Sequence, residues 1–295
     1  LYRNDNGHFT DVSKEAGITS NVFTFGLGVS VTDINNDGWP DIYVTNDFSE
    51  PDYLFINNRN GTFCEQLSKQ MDEVPGASSG CEAADYNNDG FVDLMTLDML
   101  PESNEGQKMH NGSENFDKFQ YLFNQGFYYQ YSRNMLQKNN GDGTFSEIGQ
   151  LAGVSNTDWS WIALFSDFDN DGNKDLFISN GYVKDYTNMD FLKSTMNSVI
   201  QAQQGGGQAT SEKDYINQMQ TNETPDYMFQ NNGDQTFTNR SNEWGFDQKT
   251  VSSGTAYADL DNDGALDLVI NNTNGLAGIY KNNSRTLLNN NYLKI

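Results

Sequence analysis

Four copies of one acidic element decide most of what this chain can fold into. They lie at 33–41, 85–93, 167–175 and 259–267, each with Asp at position 1, Asn or Asp at 3, Asp at 5, Gly at 6 and Asp at 9. A second element, Leu-x-x-Asn or a close variant, recurs five times, at 1–4, 54–57, 136–139, 228–231 and 279–282. Four of these five lead through a turn to a phenylalanine: Phe9, Phe63, Phe145 and Phe237. From the second element to the next acidic one the distance is 32, 31, 31 and 31 residues, while the return distance is 21, 51, 61 and 20. The unit is therefore about 50 residues long, and two copies carry extra residues at one equivalent place. That length matches a four-stranded propeller blade.

Strands can be assigned inside the unit. Small residues before each acidic element (28–33, 254–259) suit a crowded inner strand, and the apolar, β-branched runs after it read as the second strand. The Leu-x-x-Asn segment is the third, and Gly-bearing turns such as Asn60-Gly61 and Gly141 to Gly143 reverse the chain into an outer fourth. The expected fold is all-β: a β-propeller of four-stranded blades with the acidic loops between strands 1 and 2. Two mainly helical insertions are expected at about 100–131 and 183–225. Residues 1–288 form half a blade and about four blades, and 289–295 begin a following C-terminal domain. Four and a half blades close poorly, so further blades are expected upstream of Leu1.

The acidic loops predict metal ligands. The candidates are Asp33, Asn35, Asp37 and Asp41; Asp85, Asn87, Asp89 and Asp93; Asp167, Asp169, Asp171 and Asp175; and Asp259, Asp261, Asp263 and Asp267. Trp39, Phe91, Asn173 and Ala265 at position 7 offer backbone carbonyls. Gly at position 6 accepts the backbone angles of a tight turn, and a shell of hard oxygens without His or Cys favours Ca2+, about four ions in all. Carboxylates this dense repel one another unless a cation neutralises them. An EF-hand needs Glu at position 12, where this chain has Val44, Thr96, Ile178 and Ile270, residues that continue a strand.

The pattern Phe25-Gly26 followed by Asp33, Asn35, Asp37, Gly38 and Asp41 resembles the FG-GAP (also called VCBS) repeats of integrin α-subunit propellers and many bacterial surface proteins. Asn134-Met-Leu-Gln137, Phe145-Ser-Glu-Ile148, Thr157-Asp-Trp-Ser-Trp161 and Asp185 to Phe191 resemble, more narrowly, the cartilage-acidic-protein-like group of Bacteroidetes, in which the propeller precedes an ASPIC/UnbV domain. Asn291 to Ile295 resemble the first strand of that next domain. The resemblance implies calcium loops and an extracellular or outer-membrane surface location, often as a lipoprotein encoded near nutrient-uptake systems. It assigns no reaction.

Charge narrows the partners. With 41 acidic side chains against 17 basic ones the formal charge is −24, which excludes the basic face that nucleic acid or an anionic membrane requires. No run of 18 apolar residues occurs, so no transmembrane segment is expected. Cys64 and Cys81 fall on an outer and an inner strand and are expected unpaired. His8 and His110 read as surface histidines, and no nucleophile or phosphate-loop motif is present. Glu82, Asp98 and Glu102 are a weak candidate for a glycosidase-type carboxylate pair.

Both insertions fall between second and third strands, and successive turns of a blade alternate faces, so the insertions share the face opposite the acidic loops. The first carries Phe116, Phe119, Tyr121, Phe123, Phe127, Tyr128, Tyr129 and Tyr131, expected mainly to pack the insertion down, with Arg133 beside them as a polar contact for a partner. The second has Leu192, Met196, Val199 and Ile200 at helical spacing, a loop at 205–207 and a capping pair Ser211/Asp214. It reads as a helical hairpin whose apolar stripe is expected to pack. The functional expectation is a non-catalytic, calcium-stabilised extracellular binding or scaffolding propeller in a bacterial cell-surface complex for ligand or nutrient capture. Its partner is a protein of that complex ahead of a glycan. The alternative is a carbohydrate-active enzyme, a polysaccharide lyase or hydrolase on a calcium-binding propeller.

Overall fold

The computed structural model describes residues 1–19, 21–110, 116–205, 211–288 and 290–292. The loop at 205–207 and the closing strand at 291–295 therefore lie partly outside the described residues.

Short strands separated by Asn- and Gly-rich turns dominate the chain. β1 (Tyr2–Asp5) and β2 (His8–Asp11) form a hairpin around Asn6 and Gly7. β3 (Gly26–Thr32), β4 (Asp41–Asn46), β5 (Tyr53–Asn57) and β6 (Phe63–Glu65) make an antiparallel sheet in chain order. Beyond α1 (Leu67–Gln70) and β7 (Val74–Pro75) comes a second sheet, which begins with β8 (Cys81–Ala84) and β9 (Asp93–Thr96). The first insertion supplies α2 (Asn104–His110), α3 (Phe116–Asn124) and β10 (Gln130–Tyr131), the last pairing in parallel with β7. β11 (Met135–Asn139) and β12 (Phe145–Glu147) then complete the second sheet.

After α4 (Gly149–Ala152), the third sheet starts with β13 (Ser160–Ser166) and β14 (Asp175–Asn180). The second insertion follows as the helical hairpin α5 (Met189–Gly205) and α6 (Glu212–Gln218), and the Ser211 hydroxyl caps α6 by accepting the Asp214 N–H. β15 (Thr224–Pro225) pairs later with β18 (Lys249–Thr250), while β16 (Tyr227–Asn231) and β17 (Phe237–Asn239) close the third sheet. The fourth sheet has three strands, β19 (Ser252–Ala258), β20 (Asp267–Asn272) and β21 (Gly278–Tyr280), and the turn α7 (Ser284–Leu287) follows it.

The first strands β3, β8, β13 and β19 lie side by side in that order. Between successive sheets the apolar side chains collect into three cores. One holds Ile34, Tyr43, Leu54, Leu94 and Phe145; the next Tyr86, Met95, Leu136, Phe165, Leu176 and Phe229; the third Phe168, Phe177, Met228 and Leu268. The period-2 alternation of a strand explains the division: Leu94 faces one interface and its neighbour Met95 the other, as do Leu176 and Phe177. Middle strands covered on both faces read as continuous apolar runs, and all six residues of β14 are buried.

Cys64 and Cys81 are free, on β6 and β8. In the second insertion the apolar stripe departs from expectation: Leu192, Met196 and Ile200 are exposed (37%, 65% and 43%), and the side chain of Val199 is not described. α5 packs beside α2, and this stripe stays open to solvent.

Candidate metal centres and the insertion face

One hydrogen-bond pattern holds in all four acidic loops. In the first, the Asp33 carboxylate accepts the N–H groups of Asp37 (2.9 Å) and Gly38 (2.7 Å), Asn35 Oδ1 accepts Asp37 N–H (3.0 Å), and Asp37 Oδ1 accepts Trp39 N–H (2.9 Å). Asp85, Asp167 and Asp259 accept the corresponding pairs of N–H groups. Asp89, Asp171 and Asp263 repeat the role of Asp37, accepting from Phe91, Asn173 and Ala265. The turn needs left-handed backbone at positions 4 and 6. Asn36, Asn88, Asn170 and Asn262 supply φ of 56–61°, and the four glycines supply 86–97°.

Position 9 is buried in every loop. Asp41, Asp93, Asp175 and Asp267 each accept two backbone N–H groups, one from position 2 and one from the third-strand asparagine (Asn57, Asn139, Asn231, Asn282) at 2.7–3.0 Å. Desolvation pushes Asp93 up to about 7 and Asp175 up to about 8, with Asp89 and Asp169 nearby adding like charge. Arg59 pairs with Asp37 in the first loop, and Lys281 with Asp261 and Asp263 in the fourth. Lys174, in the third loop, donates to the Asp85 carbonyl of the second, and among the described residues no Lys or Arg forms a salt bridge to a carboxylate of either loop. Ligand oxygens of Asp167, Asp169 and Asp175 lie within 4.8 Å of one another, and so do those of Asp259, Asp261 and Asp263. An all-oxygen donor set at that spacing, burdened with its own repulsion, fits a hard divalent cation.

The loops also hold the sheets to one another. Asn36 Nδ2 donates to Gly90 O of the next loop, Asn88 to Gly172 O and Asn170 to Gly264 O. Third-strand asparagines reach the other way: Asn139 donates to Ile34 O and Val92 O, Asn231 to Tyr86 O and Lys174 O, and Asn282 to Phe168 O and Leu266 O. Sequence reasoning quoted these asparagines as repeat markers and gave them no task; their fixed place in every repeat was the available signal.

Residues 1–44, 33–96, 116–178 and 214–270 match the FG-GAP-like repeat family, well over half of the chain. The chain belongs to the FG-GAP-like repeat family. It is 38% identical over 86 residues to cartilage acidic protein 1 of Mus musculus and 37% identical over 86 residues to that of Homo sapiens. The matched stretch is 29% of this chain and 13% of each relative's length.

The far ends of the sheets in this FG-GAP chain carry a second set of cross-links. Ser78 Oγ donates to Asp52 across the first interface (3.0 Å) and Ser252 Oγ to Asp226 across the third (2.8 Å). Burial pushes the carboxyls of Asp52 to about 7 and of Asp98 and Asp226 to about 6. Asp98 accepts the N–H groups of Gly76, Ala77 and Met99, and Glu102 accepts the Tyr227 hydroxyl. Glu82 lies on β8, its carboxyl pushed to about 7 by burial.

The first insertion is packed together by its own aromatics and anchored through Phe127 and Tyr128. Phe119 and Tyr131 have ring centroids 5.6 Å apart, Phe123 and Tyr129 4.4 Å, and Phe127 meets Phe23 edge-on. The Tyr128 hydroxyl donates to Met71 O. Phe116 and Tyr121 stay exposed. Arg133 is no free contact: Glu73 and Glu147 pair with it. His110 departs from the surface reading, because the end of α2 is pressed toward the second insertion. Its Nδ1 lies 3.2 Å from Thr187 Oγ1 and 3.6 Å from Asp185 Oδ1.

Proposed function

We propose that the chain is part of a calcium-stabilised β-propeller, an extracellular binding and scaffolding module of a bacterial cell-surface complex that captures ligands or nutrients. Residues 1–288 supply half a blade and about four blades of a larger propeller, and 289–295 open a following domain. FG-GAP repeats suggest an extracellular binding or scaffolding domain, and the outer-membrane, lipoprotein setting is what the sequence resemblance to the cartilage-acidic-protein-like group of Bacteroidetes implies. Among the described residues no helix is long and apolar enough to cross a membrane.

The ion ligands are the side chains at positions 1, 3, 5 and 9 of each loop and the carbonyls of Trp39, Phe91, Asn173 and Ala265. When bound, calcium would supply the positive charge that these oxygens coordinate, a structural role. The observation that carries the reading is the division of labour between faces. The loop end is the same four times over, while length varies only where second strands pass to third strands, as expected where function is carried on a rigid scaffold. The exposed apolar stripe of α5 adds a surface suited to a protein partner.

The test is to replace residues 107–126 and 188–220 separately with short Gly/Ser turns. Each variant should stay folded and calcium-responsive yet fail to recover the partner that the intact protein captures from its native membrane. Retention of the partner by both variants, or its loss through changes confined to the acidic-loop face, contradicts the assignment. Release of product from a polysaccharide by the intact protein would favour the carbohydrate-active alternative.

A further inference from the structure

We propose that the notch where the two insertions meet binds one hexopyranose unit of a neutral saccharide. This rests on reading the chain as a ligand-capturing surface module and names the ligand's chemistry. The notch encloses about 40 Å³ between His110 and Pro101 of the first insertion, Asp158 and Trp159 of the segment entering β13, and Tyr182 and Thr187 of the second insertion. One water needs about 10–15 Å³ of such space, and a whole small ligand several hundred. The notch therefore takes a single substituent the size of a hydroxymethyl group and leaves the rest of the ligand outside. Outside stands Tyr186, 54% exposed, its ring 5.3 Å from Trp159 and 6.4 Å from Tyr182, the two aromatic walls. A tyrosine face beside a polar notch suits the C–H face of a pyranose whose exocyclic group turns inward.

The polar groups are fixed before any ligand arrives. Asp185 is nearly buried, accepts the N–H groups of Thr187 and Asn188, and holds His110 in place. Asp158 has left-handed backbone (φ 72°), which aims its carboxylate. Its Oδ1 accepts from Trp159 N–H and Asn222 Nδ2, while Oδ2 has no partner among the described residues and is free to accept a hydroxyl. Among the described residues no Lys or Arg lines the notch, and with the chain's charge of −24 an anionic sugar is disfavoured.

The test is calorimetric titration of the calcium-loaded protein with cellotriose, mannotriose, xylotriose and trigalacturonate. At least one of the two neutral hexose trimers should bind. Xylotriose, which lacks the hydroxymethyl group, and trigalacturonate, which carries a carboxylate in its place, should bind about tenfold more weakly or not at all. Tyr186→Ala and Asp158→Asn should each weaken the hexose trimer about tenfold or more while leaving the calcium-dependent melting temperature unchanged. No binding of either hexose trimer by protein that calcium still stabilises overturns the inference and leaves the scaffold reading standing. Equal binding of xylotriose, or undiminished binding by both variants, also overturns it. Loss of the calcium response would instead strike the functional reading itself.

Discussion

Asn231 shows how much one side chain can hold in a repeat. Its backbone N–H goes to Asp175, its Nδ2 to the carbonyls of Tyr86 and Lys174, and its Oδ1 accepts Gly233 N–H, so a single residue joins a loop, a turn and two sheets. Asn57 makes the same local bonds but reaches only Pro40 O, in its own sheet. Asn231→Ala should therefore cost about 1–3 kcal/mol by leaving buried carbonyls unpaired, and Asn57→Ala about 0.5–1.5 kcal/mol. Chemical denaturation of the two variants measures the difference, and equal losses would deny the asparagines their cross-linking role. The motif was legible in the sequence because it recurs at fixed spacing. Its reach was not, because spacing along one repeat says nothing about which carbonyl of the neighbouring repeat comes within 3 Å.

At the scale of elements, the four-stranded unit could be read from strand periodicity and turn residues, and the insertions from the lengths that break the repeat. What escaped was contact between distant segments. His110 and Thr187 are 77 residues apart and lie on opposite insertions, so neither pattern nor propensity brings them together. The α5 stripe misled for a related reason: helical periodicity marks an apolar face but does not say whether a sheet lies beneath it.

The sheet ends carry their own pH dependence. Asp52, pushed up to about 7, and Asp98 and Asp226, pushed up to about 6, hold protons more tightly folded than unfolded, where aspartate titrates near ~3.9. The stability they contribute is full below about pH 4 and is lost as the pH rises through 6 and 7. With calcium saturating throughout, so that the loop carboxylates stay ionised, the melting temperature should be higher at pH 5.5 than at pH 8. Asp52→Asn should flatten that slope, since the Tyr43 and Ser78 hydroxyls that donate to it can turn to accept from an amide. An unchanged slope in the variant would remove Asp52 from the account.

For the whole molecule, the cores between sheets and the hydrogen bonds at both sheet ends tie each repeat to the next, and the acidic loops all lie at one of those ends. Their charge opposes that stacking. Four divalent ions would bring the formal charge from −24 to −16 and relieve repulsion where successive loops adjoin. At calcium a hundredfold above its dissociation constant each site adds about 2.7 kcal/mol to the folded state, enough together to move the melting temperature by about 15 °C. Thermal unfolding of the same preparation in calcium, after chelation and after calcium is restored, is the most direct test. The account predicts a midpoint that falls on chelation and recovers on readdition; a melting curve indifferent to chelator and calcium would contradict it.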